Sequence, residues 1–179
     1  NDRPLTDLMK AVDTGAAQLP DFQRGWVWDD DRIKALILSV IHNFPVGAAM
    51  FLEYGNESIQ FKHKPIEGSA ASPTIEPDEL LDGQQRLTSL YNALYSKNPV
   101  HTKTDKGKEI DRYYYLNIEK ALDPGSDDEE IVLSVPATKQ ITSDFGRKIE
   151  TDLSTRRDEF RMKMFPLNII LNSGEEQGW

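Results

Sequence analysis

The sequence contains no cysteine. Disulfides and thiolate metal sites are therefore excluded, and a cytoplasmic setting fits best. Long apolar runs are also missing. The stretch "PVGAAMFL" (45–52) is among the longest and is too short to span a bilayer, so no membrane partner is expected. The opening "NDRPLTDLMK" lacks the apolar centre of a signal peptide. Basic charge is in the minority, with 21 Lys+Arg against 30 Asp+Glu and a net charge of −9. Counterion release on a polyanion needs a basic face, so this balance argues against a general nucleic-acid or membrane-surface coat. It leaves room for a local basic groove.

What is present suffices for one substantial core: 179 residues, 38% of them hydrophobic, point to a single domain over 1–179. The chain begins at Asn1 without methionine and ends at Trp179 directly after "SGEEQG", which reads as a fragment of a longer protein. Residues 140–179 are the candidate start of a helical extension.

Thr6 is placed to cap a short helix carrying Leu8, Met9 and Val12, which Gly15 would stop. An extended "QLPDFQRGWVW" (18–28) comes next. Asp29 then caps the clearest helix, whose Ile33, Leu36, Ile37, Val40, Ile41 and Phe44 keep the spacing of one helical face, with Pro45 ending it. "GAAMFLE" and "SIQFK" around "YGNE" read as a β-hairpin. "EGSAASPTIEP" (67–77) is loop by composition. "ELLDG" (79–83) is a short strand feeding a second helix with Leu87, Leu90, Tyr91 and Leu94 on one face. "KNPVHTKTDKGKE" (97–109) reads as a basic loop, "RYYYLNIE" as a strand, "DPGSDDEE" as an acidic loop and "IVLSV" as a strand. Towards the end, "STRRDEFRMKM" is a candidate helix and "FPLNIIL" a short buried piece. Alternating strands and helices give an α/β or α+β class.

The chemistry concentrates in "LLDGQQRL" (80–87), where a strand ends and a helix opens with two glutamines and an arginine. A cation in a first turn opposes the helix dipole unless it is paired. One reading is purely structural: Asp82 at the N-cap, Gln85 reaching back as a capping box, and Arg86 paired with Glu79 or Asp82. The other places an anion there. Backbone N–H groups behind Gly83 would hold a phosphate, Arg86 would add charge-assisted bonds, and Asp82 at the strand's C-terminal end would hold Mg²⁺ or orient a water. The residues alone leave the two evenly matched. Gln23-Arg24 in "FQRGWVW" poses the same choice: Arg24 stacks on Trp26 or Trp28, or both polar groups point into a cleft.

Together, "LPDFQRGWVWDDDRIKALILSVIHNFPVG" and "LLDGQQRLTSLYNAL" resemble the GmrSD restriction endonuclease N-terminal domain family. The shared pattern is carried by Gln23, Arg24, Trp28, Ser39, Pro45, Gly47 and the run Asp82 to Thr88. The resemblance covers the first half of the chain firmly and the rest loosely. It implies a ParB/sulfiredoxin-like core, a small mixed sheet with flanking helices in which a turn at a helix start holds nucleotide phosphates. It also implies a role in modification-dependent restriction and phage defence, with an HNH nuclease further along the chain or in a partner. On this reading a nucleoside triphosphate is ligand or substrate and Mg²⁺ its cofactor. Gln23, Arg24, Gly83, Gln84, Arg86 and Thr88 would bind the nucleotide. Asp82, Gln85 and Arg86 would serve catalysis, with Asp82 on the metal, and Arg24 is expected in the same cleft as Arg86.

His42, His63 and His101 lie far apart and form no HNH pattern, so a DNA-cutting centre of that type is not expected in this stretch. Pro77-Asp78 resembles the start of a PD-(D/E)xK nuclease site, but no Asp/Glu-x-Lys comes after it. The alternatives are a DNA-binding or nicking module built on the same turn, or an interaction domain whose polar motifs are structural. Lys97, Lys103, Lys106 and Lys108 would then touch a DNA backbone or simply be solvated.

Overall fold

The computed structural model describes residues 3–54, 62–171 and 178–179. It shows an α+β fold with two four-stranded sheets and a separate two-stranded ribbon. The first sheet contains β1 (Ala17–Pro20), β2 (Met50–Glu53), β3 (His63–Lys64) and β4 (Glu79–Asp82) in the order β2-β4-β1-β3. It is mixed: β1 runs parallel to β4, while β2 on β4 and β3 on β1 are antiparallel. Residues 55–61 of the hairpin expected around "YGNE", nearly all of its turn and second arm, lie outside the described residues. Its first arm, β2, pairs with β4, and β3 pairs with β1.

Helix α1 (Leu5–Thr14) stops at Gly15 as expected, but Thr6 sits inside its first turn and Pro4 occupies the N-cap with no side-chain bond. Asp29 does cap α2 (Asp30–Ile41), accepting the Arg32 N–H at 2.9 Å. The helix closes before Pro45. Asn43 takes φ 55°, and the amides of Phe44 and Asn43 fold back onto the carbonyls of Ser39 (2.8 Å) and Val40 (3.1 Å), a Schellman closure. The helical face is accordingly divided, with Ile33, Leu36 and Ile37 buried and Val40, Ile41 and Phe44 exposed.

Helix α3 (Gln84–Leu94) is buried almost all round and divides the interior. Its Leu90, Ala93 and Leu94 pack with Ile33, Ile37, Val100 and Tyr114, while Leu87 and Tyr91 pack with Met9, Val12, Leu19 and Leu81. Thr88, Ser89 and Asn92 are buried too, because neighbours cover both sides of the helix.

The second sheet is built on β6 (Glu109–Asn117), which pairs antiparallel with β5 (Val100–Lys103), β7 (Val132–Pro136) and β10 (Met164–Pro166). The expected basic loop over 97–109 is therefore in part a hairpin: β5 alternates buried Val100 and Thr102 with exposed His101, and 97–99 and the turn 104–108 are loop. α4 (Ile118–Leu122) precedes the acidic stretch, whose end forms the short helix α5 (Asp128–Ile131). Where a helical extension is expected to start, the described residues 140–143 and 148–152 form strands. β8 (Gln140–Ser143) and β9 (Lys148–Asp152) make the ribbon, and α6 (Arg156–Arg161), capped by Thr155, returns the chain to β10 on β6. The physical reason is burial: Leu153 and Met164 pack with Tyr115 and Val135, tying this segment to the second sheet.

Two acids knit the second sheet to its surroundings. Asp30 accepts hydrogen bonds from the hydroxyls of Tyr114 and Ser134, both at 2.7 Å, joining α2 to β6 and β7. Glu159, 2% exposed, accepts from the Tyr115 hydroxyl at 2.8 Å and the Lys139 ammonium at 3.2 Å. Burial, with an acid beside each ring, pushes both tyrosines well above their ordinary range and keeps them as donors. Among the described residues no helix is long and apolar enough to cross a membrane.

Candidate functional site

β4 delivers Asp82 to the start of α3 through Gly83, which adopts φ 97°. An L-side chain there would be strained, so glycine is what lets strand and helix meet this closely. The capping box expected from the sequence does not form. The N-cap is Gly83 itself, no side chain caps the helix, and the Asp82 carboxylate accepts the Gly83 N–H at 2.8 Å. The first-turn amides of this eleven-residue helix are thus left without a side-chain acceptor.

Gln85 is engaged elsewhere, which is why it cannot reach back. Its carbonyl oxygen accepts the Val27 N–H and its amide donates to the Gly25 carbonyl, both at 3.0 Å. The Trp26 indole donates to Ser89 Oγ at 3.0 Å, and Gln23 Nε2 donates to the Leu81 carbonyl at 3.0 Å. These bonds strap the "FQRGWVW" segment across β4 and α3, about sixty positions away in sequence. They bring Arg24 to the helix start.

Arg86 has a different anchor from either one expected. It pairs with neither Glu79 nor Asp82. Instead it donates to the carbonyls of Val46 and Ala48, the latter at 2.9 Å. Gly47 between them has φ 90°, and a Cβ there would lie 1.8 Å from Arg86 Nη1. The Pro-x-Gly after α2 is therefore a seat for a guanidinium, a role that no local pattern reveals.

A cavity of about 460 Å³ opens at this point, lined by Gln23, Arg24, Trp28, Asp82, Gly83, Gln84, Gln85 and Arg86. All but one of the expected site residues line it. The exception is Thr88, which is 0% exposed with its hydroxyl enclosed in the protein, because it lies on the core side of α3. Arg24 and Arg86 share the cavity as expected, and Arg24 is exposed, with no hydrogen bond or ion pair among the described residues. Trp28 forms part of the wall and also packs against the main core. Two arginines and one carboxylate leave the lining with one positive charge in excess.

Residues 5–172 match the model of a known family, described as the GmrSD restriction endonuclease, N-terminal domain. The chain belongs to that family. It is also 31% identical over 176 residues to an uncharacterized protein of Methanocaldococcus jannaschii, covering 96% of this chain and 29% of that protein. No solved structure matches it. The two motifs of this GmrSD N-terminal domain thus occupy one place: the Gln-Arg pair and the Asp-Gly-Gln-Gln-Arg turn form parts of a single cavity wall.

Among the described residues no group of three or more His, Asp or Glu side chains is placed to hold a metal ion. Asp82 is the one carboxylate of the cavity. This donor set suits Mg²⁺ rather than a fully protein-caged metal, since Mg²⁺ commonly takes one or two carboxylates and completes its shell with water and ligand phosphates.

Proposed function

We propose that this chain is a nucleoside-triphosphate-binding and -hydrolysing regulatory domain of a modification-dependent restriction system that defends against phage. The observation that carries the reading is Arg24: a cation with no partner among the described residues, lining the same cavity as the uncapped start of α3, with its segment tied there by the bonds of Gln23 and Gln85. Backbone N–H groups at a helix start and a flanking guanidinium are the components of a phosphate site. Arg86, fixed by two carbonyls, adds positive field without having to move.

In this reading Arg24, Gln84 and the amides behind Gly83 bind the phosphates, while Arg86 and Gln85 hold the two halves of the site in register. Asp82 would hold Mg²⁺, which when bound offsets phosphate charge. Asp82 is also the group that can orient a water towards the terminal phosphate. A single carboxylate favours this over a two-metal nuclease centre. The Gly83 turn at a helix start, beside a mixed sheet, also supports the ParB/sulfiredoxin-like kinship. DNA, modified or not, and an HNH nuclease domain or subunit are the partners of the whole system.

Equilibrium binding of labelled nucleoside triphosphates, with and without Mg²⁺, combined with phosphate release, tests this. Saturable binding that Arg24→Ala weakens is expected. A folded protein that binds no nucleoside triphosphate under either condition would refute the reading.

A further inference from the structure

The Arg24 side chain has no hydrogen bond among the described residues, yet the residues on either side of it are both tied down. After it, the Gly25 carbonyl accepts the Gln85 amide at 3.0 Å. Before it, the Gln23 carbonyl accepts the ammonium of Lys64. Lys64 belongs to β3, where it lies opposite Leu19 of β1, and the Lys62 carbonyl accepts the Asp21 N–H at 2.9 Å. From that ladder the Lys64 side chain reaches the turn in which the Gln23 N–H donates to the Pro20 carbonyl at 3.2 Å. Gln23 is thereby held at three points: its N–H, its carbonyl, and its side-chain amide on the Leu81 carbonyl. Lys64 itself is partly buried and does not line the cavity.

We infer that Lys64 is a positioning residue of the phosphate site, acting on the ligand through Arg24 without touching it. The inference rests on the phosphate reading above and adds to it a residue of β3. A cation without a partner is not kept in place by its own bonds, so its backbone has to be fixed by its neighbours. Ordering a residue costs free energy, and a site ordered before its ligand arrives binds more tightly. A Cβ built on Gly25 would meet nothing within 4 Å, so side-chain packing does not confine the chain on that side and the hydrogen bonds must. An ammonium suits the task. Its bond to a carbonyl is charge-assisted, and its flexible four-carbon stem spans the step from strand to turn.

A double-mutant cycle on the intact protein tests this, with a labelled non-hydrolysable nucleoside triphosphate analogue in Mg²⁺ as the probe. Affinity and melting temperature are measured for the parent, Lys64→Met, Arg24→Ala and the two changes together. Lys64→Met keeps the stem and removes the donor, and should weaken binding about tenfold, the equivalent of ordering one residue's backbone. With Arg24→Ala already present, the same change should have no further effect. Lys64→Arg restores a charged donor and should recover most of the affinity. An equal loss in both backgrounds would mean that Lys64 acts independently of Arg24, and would overturn the inference while leaving the phosphate site standing. Parental affinity in Lys64→Met would overturn it too, as would a Lys64→Met chain that no longer folds, which would assign Lys64 to the packing. A parent that binds no analogue, or an Arg24→Ala variant that binds it as the parent does, would overturn the phosphate reading and the inference together.

Discussion

Around the second sheet, acids are met from within. Glu159 receives Tyr115 and Lys139, and Asp30 receives Tyr114 and Ser134, so these carboxylates are satisfied by the fold itself. Around the first sheet the reverse holds. Arg24 is held at a cavity mouth without a partner among the described residues, α3 begins without a side-chain cap, and the edge strand β2 exposes Met50, Phe51 and Leu52. The contrast separates polar groups that specify packing from polar groups that are kept available. The bonds of Gln23, Gln85 and Arg86 go to backbone on neighbouring segments, so their role is to hold the available groups in place.

The largest effect is expected of Glu159→Ala, which leaves the Tyr115 hydroxyl enclosed and Lys139 without its acid. Chemical denaturation should show a stability loss of about 3 kcal/mol, as for breaking a buried pair, with nucleotide affinity unchanged in the folded fraction. Arg24→Ala should do the opposite: a loss of about 2 kcal/mol in nucleotide binding by calorimetry, with the melting temperature held. A large melting-temperature loss in Arg24→Ala would place Arg24 with the structural group and erase the contrast.

Gly47→Ala tests the seat of Arg86. It forces a side chain into the left-handed region and against Nη1, and should cost about 1.5 kcal/mol in thermal stability while also weakening nucleotide binding through displacement of Arg86. The smallest effect is expected of Asp29→Ala, which removes the cap of α2 without touching the cavity lining. About 1 kcal/mol of stability should be lost in denaturant titration, with binding intact.

Much of this division can be read from sequence, and the failures are instructive. The Asp29 cap, the strand ending at Asp82 and the helix behind Gly83 obey local rules, and two separated motifs suffice to nominate Gln23, Arg24 and residues 82–86. The capping box fails because Gln85 takes backbone partners in a segment some sixty residues earlier. Thr88 fails for a related reason. It lies two positions beyond Arg86 in the motif, whereas α3 is covered on both sides and turns it inward. The β8–β9 ribbon escapes notice because "KIETD" offers no alternating apolar face. The mixed order β2-β4-β1-β3 is a tertiary fact with no local signature.

The cavity lined by Arg24 and the start of α3 is proposed to hold the phosphates of a nucleoside triphosphate. A crystal structure of the intact protein with a non-hydrolysable nucleoside triphosphate analogue and Mg²⁺ tests it most directly. Phosphate oxygens are expected within hydrogen-bond distance of the Arg24 guanidinium and the amides behind Gly83, with Asp82 facing the metal. Triphosphate density at another place on the molecule, such as the hollow beside Asp13, Tyr91 and Lys97, with the Arg24 cavity holding only water, would contradict it.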